Sequence, residues 1–301
     1  MSGLSGTHWV VVAQHRRALR TTLALAAVGA TVLIVARTWY VTADPVTASV
    51  DPYNWLLIVL DYSSTAIMLL PLLVAAYVAG PLVARELESG TYRLAWTQSV
   101  SPARWLASRL AIPTVVVVAG GALLVALFRW TRGAVEDSMF LQLWDKQVYA
   151  SSGTVAVAYG LLATAFGALG GLLVRRTLVA MSLAGLATGG VLLALAQVRE
   201  HLWPMVLSVG KGMPNTLTNT ADDWWVEYGR LSPSGERLYW EDCSAPAPAW
   251  CNDESGAYTE FVEHHPVSHF WPLQLVETGI VLALAVLVTT VAFRVLRRHH
   301  A

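Results

Sequence analysis

Residues Arg85-Glu86-Leu87-Glu88-Ser89-Gly90-Thr91-Tyr92-Arg93 form a charged island between two long apolar segments, and Ser101-Pro102-Ala103-Arg104-Trp105 follows shortly after. The flanking segments are continuous apolar runs, so the island reads as the connection between two membrane-crossing helices. Pro81 suits the first turn of a helix, Gly90 can end one in the left-handed conformation, and Ser101-Pro102 repeats the start signal for a helix running into the next span. Over residues 81–109, Leu82, Val83, Leu87, Tyr92, Leu94, Trp96, Trp105 and Leu106 interleave with charges. That is the composition of short amphipathic helices at a membrane surface. The pattern predicts Glu86 and Glu88 near the tip, with Gly90 allowing a sharp reversal.

Composition extends this reading to the whole chain. With 55% hydrophobic and 13% charged residues, the chain has too little polar surface to clothe a soluble globule. A span needs about 20 mostly apolar residues to cross a hydrocarbon core of roughly 30 Å. Six segments qualify, at roughly 20–42, 55–80, 110–129, 152–174, 177–198 and 271–294. Runs such as Val115-Val116-Val117-Val118 and Val281-Leu282-Ala283-Leu284 exclude the short alternating strands of a barrel. The expected fold class is therefore an all-α polytopic membrane protein with six transmembrane helices.

The basic residues orient it. Arg16, Arg17, Arg20, Arg85, Arg93, Arg104, Arg109, Arg175, Arg176, Arg294, Arg297 and Arg298 flank one side of the six spans, which places that side and both termini in the cytoplasm. Trp39, Trp55, Trp130, Trp144, Trp203 and Trp271 cluster near the opposite ends, where amphipathic rings prefer the headgroup layer. Arg37 lies close enough to that interface to snorkel. The apolar run after His15-Arg16-Arg17 is too long for a secretory signal and five more spans follow it. Trp9 to Arg20 is expected to lie on the inner surface as an amphipathic helix. The basic residues sit at membrane boundaries rather than in a stripe, so nucleic acid is not an expected partner.

The segment from 199 to 270 is expected to be an extracytoplasmic cap, separating residues 1–198 (the N-terminal helix and five spans) from 271–301 (the last span and tail). Trp224, Trp225, Tyr228, Tyr239, Trp240, Trp250, Tyr258 and Phe261 give it an aromatic core. The alternative is an exposed aromatic platform or exit gate. Cys243 and Cys251 fall in it with seven residues between them, and an oxidising compartment favours a disulfide over two free thiols. His264 and His265 lack a partner at metal-ligand spacing, so no metal is expected. The loop from 130 to 150, carrying Glu136, Asp137 and Asp145, is expected to pack against the cap.

Within the spans, Ala163, Gly167 and Gly171 in the fourth and Gly185 and Gly189 in the fifth offer close helix contacts, either inside the chain or along a dimer seam. Asp61 and Glu277 are ionisable groups inside spans, about five or six residues from the outer ends. Each fits either a translocation path or an interhelical hydrogen bond.

Glu88-Ser89-Gly90-Thr91, Leu94-Ala95-Trp96 and Ser101-Pro102-Ala103-Arg104 occupy the places of an acidic and basic helix, a Glu-x-Gly-Thr, a hydrophobic stretch and a helix start. In this the chain resembles ABC-2 type transporter permeases, in particular permease subunits of GC-rich bacteria that read Ala-Arg-Glu-Leu-Glu (84–88) and Ala-Trp-Thr-Gln-Ser (95–99) here. The resemblance covers the six-span layout. The segment before the last span departs from it, being longer than the short re-entrant element expected there.

The resemblance implies the transmembrane subunit of an ATP-driven transporter in a bacterial inner membrane, in most relatives an exporter. Arg85, Glu86, Glu88, Gly90, Thr91 and Arg93 would form the element that docks on an ATP-hydrolysing subunit. No Gly-x-x-x-x-Gly-Lys-[Ser/Thr] phosphate loop occurs in the chain, and Gly210-Lys211-Gly212 lacks its spacing. ATP and Mg would therefore be held by a separate ABC ATPase, in two copies, with a second permease chain completing a homodimer or heterodimer. The competing classes are an ATPase-independent carrier or channel resting on Asp61 and Glu277, a scaffold or sensor of the same fold, and an intramembrane hydrolase, which no histidine at span depth supports.

Overall fold

The computed structural model describes residues 16–45, 47–90, 101–135, 141–211, 217–218, 222–243, 248–252 and 258–298, with side chains described from residue 24 onward. Thr91, Arg93, Glu136, Asp137 and the stretch from Trp9 to His15 lie outside the described residues.

Six helices are long and apolar enough to cross a membrane. Span one is α1 (Arg16–Thr42). Span two comprises α2 (Pro52–Leu73), a π-helical segment Val74–Ala79 and α3 (Gly80–Ser89). Span three is α4 (Pro102–Arg132), and a short α5 (Lys146–Ser151) precedes span four, α6 (Val155–Val174). Span five is α7 (Thr177–Val198) and span six is α8 (Phe270–Arg298).

Span four is the axle of the bundle. In its apolar window 67% of residues are buried within the chain, against 11% for span one and 17% for spans three and five. Helices in lipid gain little from hiding apolar surface, so close packing needs small residues. Here Ala163 joins Val74, Ala75 and Ala184 in one core. A Cβ added at Gly167 would fall 2.3 Å from Ala79 Cβ, and one at Gly171 would fall 2.8 Å from Ala84 N. The small residues of span four thus serve packing within the chain. At Gly185 of span five, by contrast, no atom of the described residues lies within 4 Å of an added Cβ.

Residues 81–89 differ from the surface-lying helix expected of them, and residues 91–100 of that expectation lie outside the described residues. Span two runs without interruption from Pro52 to Ser89. Within it Gly80 N–H donates to Ala75 O, a wider turn than the α-helix makes. This turn comes just before Pro81, whose ring would crowd the carbonyl four residues back in a regular helix. The apolar face of α3 meets protein rather than lipid headgroups: Leu82, Val83 and Leu87 are buried with Trp105, Leu106, Ala168, Leu172, Ala292 and Leu296. Gly90, at φ 74°, ends the helix in the left-handed conformation. Ser101 caps α4 by accepting from Arg104 N at 3.3 Å. Arg16 to Arg20 belong to the helix of span one and not to a separate surface helix.

The segment between spans five and six folds as an antiparallel sheet of β1 (Val206–Gly210), β2 (Trp224–Leu231), β3 (Arg237–Tyr239) and β4 (Thr259–His265), in the order β1-β4-β2-β3. Cys243 and Cys251 are joined by a disulfide. Phe261 and Val262 are fully buried, whereas Tyr228 is 40% exposed. The preceding loop packs against the sheet: Trp144 stacks on Trp224 at 5.4 Å and Arg132 pairs with Asp222 at 3.2 Å.

Candidate functional site

At the arginine-rich end, the ends of spans two, four and six and the start of span three converge on one apolar core, and span five packs against the end of span two beside it. Arg85 is exposed, as are Arg104, Arg175, Arg176, Arg297 and Arg298. The two acids of the island both bond to neighbouring helices. Glu86 accepts from Arg109 Nη2 at 2.7 Å and from Trp105 Nε1 at 3.1 Å, which fastens α3 to the first turns of span three. Glu88 is exposed, yet its Oε2 accepts from both Thr177 N (3.0 Å) and Thr177 Oγ1 (2.5 Å).

The second contact follows from how spans four and five are joined. Only Arg175 and Arg176 separate them, and Arg175 takes the left-handed conformation at φ 53°, unusual for a side chain with a Cβ. Arg176, at the N-cap position of span five, makes no side-chain cap. The first N–H groups of a helix have no partner within it and carry partial positive charge. Glu88 supplies the missing acceptor from another helix, with the negative charge that this position favours.

At the cap end, the structure treats Asp61 and Glu277 differently. Glu277 is fully shielded, accepting from Arg199 Nε at 2.8 Å, Arg199 Nη2 at 3.1 Å and Tyr159 Oη at 3.0 Å. The Arg199 guanidinium also lies 4.0 Å from the centre of the Tyr149 ring. Burial and the Glu277 carboxylate push the Tyr149 hydroxyl far above the usual phenol range. Beside this cluster, Gln274 accepts from Val155 N (3.2 Å) and donates to Tyr149 O (2.7 Å), holding the start of span four. Asp61 is exposed on span two, and its charge adds to the burial that raises the Asp145 carboxyl above its ordinary range. No hydrogen bond or ion pair joins Asp61 to Glu277.

Sequence reading singled out Glu277 but not Arg199, and Glu88 but not Thr177. Arg199 had a signal: it follows span five directly, at a depth comparable to that of Glu277 near the outer end of span six. Thr177 had none beyond its place as the first residue of a helix.

In the cap, His265 is buried between Trp224 and Trp144, with Nε2 2.9 Å from Glu200 O and Nδ1 3.2 Å from His269 Nδ1. Burial is the main force that lowers its pKa, helped by His269 and His264 and opposed by the Glu200 carbonyl.

Residues 46–199, just over half of the chain, match the model of a family described as ABC-2 membrane transporter related. Neither the curated proteins nor the solved structures contain a significant match.

Proposed function

The chain belongs to the ABC-2 membrane transporter related family, and from that premise we propose that it is the permease subunit of an ATP-driven exporter, worked by a separate ABC ATPase. Two ATPase copies dock on two permease chains, at the arginine-rich end. That end faces the cytoplasm with both termini, in a bacterial inner membrane, and the cap stands outside. ATP and Mg are held by the partner ATPase.

One observation carries the reading. The charged island ends a helix that is fastened to spans three and five by its two acids, so a push on the island is delivered to the transmembrane bundle rather than absorbed in a loose loop. Arg85 is exposed, Gly90 ends the helix in the left-handed conformation, and Thr91 and Arg93 follow directly in the sequence. Glu86 and Glu88 support the element from within. In this reading Asp61 is the ionisable span residue open to a cargo, and Glu277 holds the wall in which a path would run.

The test is to purify the chain gently from its native membrane and assay ATP hydrolysis. A co-purifying protein with a phosphate loop, whose turnover changes on reconstitution with this chain, is the expected result. A chain that emerges alone and binds no ATPase overturns the proposal in favour of a carrier or scaffold.

A further inference from the structure

Three close approaches seat α3 between spans four and five. Gly167 and Gly171 of span four bring it to the backbone of Ala79, Gly80 and Ala84, and a Cβ added at Gly80 would fall 2.9 Å from Met181 Cα of span five. Backbone against backbone leaves no flexible side chain to absorb a relative displacement, and packed interfaces of this kind shift as units or not at all. At the end of the same helix, Glu88 closes the unpartnered N-terminus of span five through two hydrogen bonds to one residue, Thr177. Arg176, the residue at the N-cap position itself, makes no side-chain cap. Span one, by contrast, packs on spans two and three and has no comparable contact with span five.

We propose that Glu88 is a positioning residue that hands the movement of the ATPase-docking helix to span five, so that α3 and the start of span five travel together while span one does not follow. This rests on the function proposed above and changes the part given to Glu88. Its carboxylate is the joint between the docking helix and the moving wall, and recognition by the ATPase falls to the exposed residues around it. The pair is suited to that task because its strength depends on charge and direction at once. A carboxylate at a helix N-terminus meets two donors and the positive end of the helix dipole, and all three are lost together if the helices part.

The experiment places spin labels on single cysteines and compares the nucleotide-free complex with the complex trapped by Mg·ATP and vanadate. The two native cysteines are joined to each other and do not compete for label. One pair is Ser89→Cys with Leu178→Cys, at the end of α3 and the start of span five. The other is Leu25→Cys with Leu178→Cys, both on exposed positions of spans one and five. The expected result is an unchanged Ser89–Leu178 distance distribution and a shifted Leu25–Leu178 distribution on trapping. With Glu88→Ala the Ser89–Leu178 distribution should also shift or broaden on trapping, and ATP turnover should lose its dependence on the permease. Thr177→Ser, which keeps both donors, should behave as the wild type. A merely structural contact would lower stability in both states without making the Ser89–Leu178 distance depend on nucleotide. If Glu88→Ala does not fold, Thr177→Val, which removes the hydroxyl and spares the N–H, takes its place.

A Ser89–Leu178 pair that separates on trapping in the otherwise wild-type complex overturns the joint while leaving the ATPase partnership standing. If no ATPase accompanies the wild-type chain, the partnership fails and the joint with it.

Discussion

Arg199 and Glu277 form a two-pronged ion pair, Nε to Oε2 at 2.8 Å and Nη2 to Oε1 at 3.1 Å, sealed from solvent between spans four, five and six. Tyr159 donates a third hydrogen bond to the same carboxylate. Removing one partner of a buried pair strands the other charge, at a cost of about 3–5 kcal/mol, whereas replacing both with apolar residues of similar volume is often close to neutral. Glu277→Ala is therefore expected to lower the thermal unfolding temperature in detergent sharply. The double variant Arg199→Met with Glu277→Leu is expected to recover much of the loss. Equal damage in the single and double variants would show that the pair is not a closed unit.

The seat of α3 predicts an asymmetry between glycines. Gly171→Ala puts a methyl 2.8 Å from Ala84 N, and overpacking of this kind costs about 1–3 kcal/mol or more. Gly185→Ala meets nothing within 4 Å. Size-exclusion profiles and melting temperatures of the two variants should differ, with Gly171→Ala the poorer. Similar behaviour would mean that the helix contact yields easily.

Acid should loosen the cap through His265. Its pKa in the folded protein lies below the ordinary value near 6.5, because burial disfavours the charged ring. The folded state therefore binds fewer protons than the unfolded chain as the pH falls. The stability that His265 contributes is complete above about pH 6.5 and is lost as the pH drops toward the lower folded-state value. Asp145, raised by burial, acts in the opposite sense. Tryptophan emission is the natural readout, since Trp224 and Trp144 flank the imidazole at 5.4 and 6.2 Å. A change below pH 6.5 that disappears in His265→Phe is the expected result. Persistence of the change in that variant assigns it elsewhere.

Reduction of the Cys243–Cys251 bond opens a short loop, and bonds closing short loops contribute on the order of 2–3 kcal/mol. Amide exchange should quicken in peptides around Trp240 to Asn252 and stay unchanged in the spans, because Trp240 and Trp250 bond to Glu260 and Arg230 of the sheet. Exchange spreading into span six would show that the cap and bundle unfold as one.

The bundle was legible because length and hydropathy alone specify a membrane helix, and Gly90 and Ser101 act through local chemistry that a sequence displays. The continuity of span two was not legible. Polar residues beyond Pro81 look like the end of the helix until span four is known to offer a protein surface for Leu82 and Val83. The cap's strands were hidden for another reason. Trp224 and Phe261 announce a core, but the register of β4 between β1 and β2 depends on partners more than twenty residues away. Glu86 and Glu88 read in the sequence as charges at a tip, and their partners, Arg109 with Trp105 and Thr177, exist only once the end of span two meets the starts of spans three and five.

Crosslinking mass spectrometry on the chain extracted gently from its native membrane tests the central claim most directly. Crosslinks from residues 81–110 to a protein bearing a phosphate loop are the predicted result, joined by links from the Arg175–Arg176 turn that Glu88 holds beside them. Recovery of an ATPase bound elsewhere, or of no ATPase at all, would contradict the account and reduce the charged island to a helix end held for stability alone.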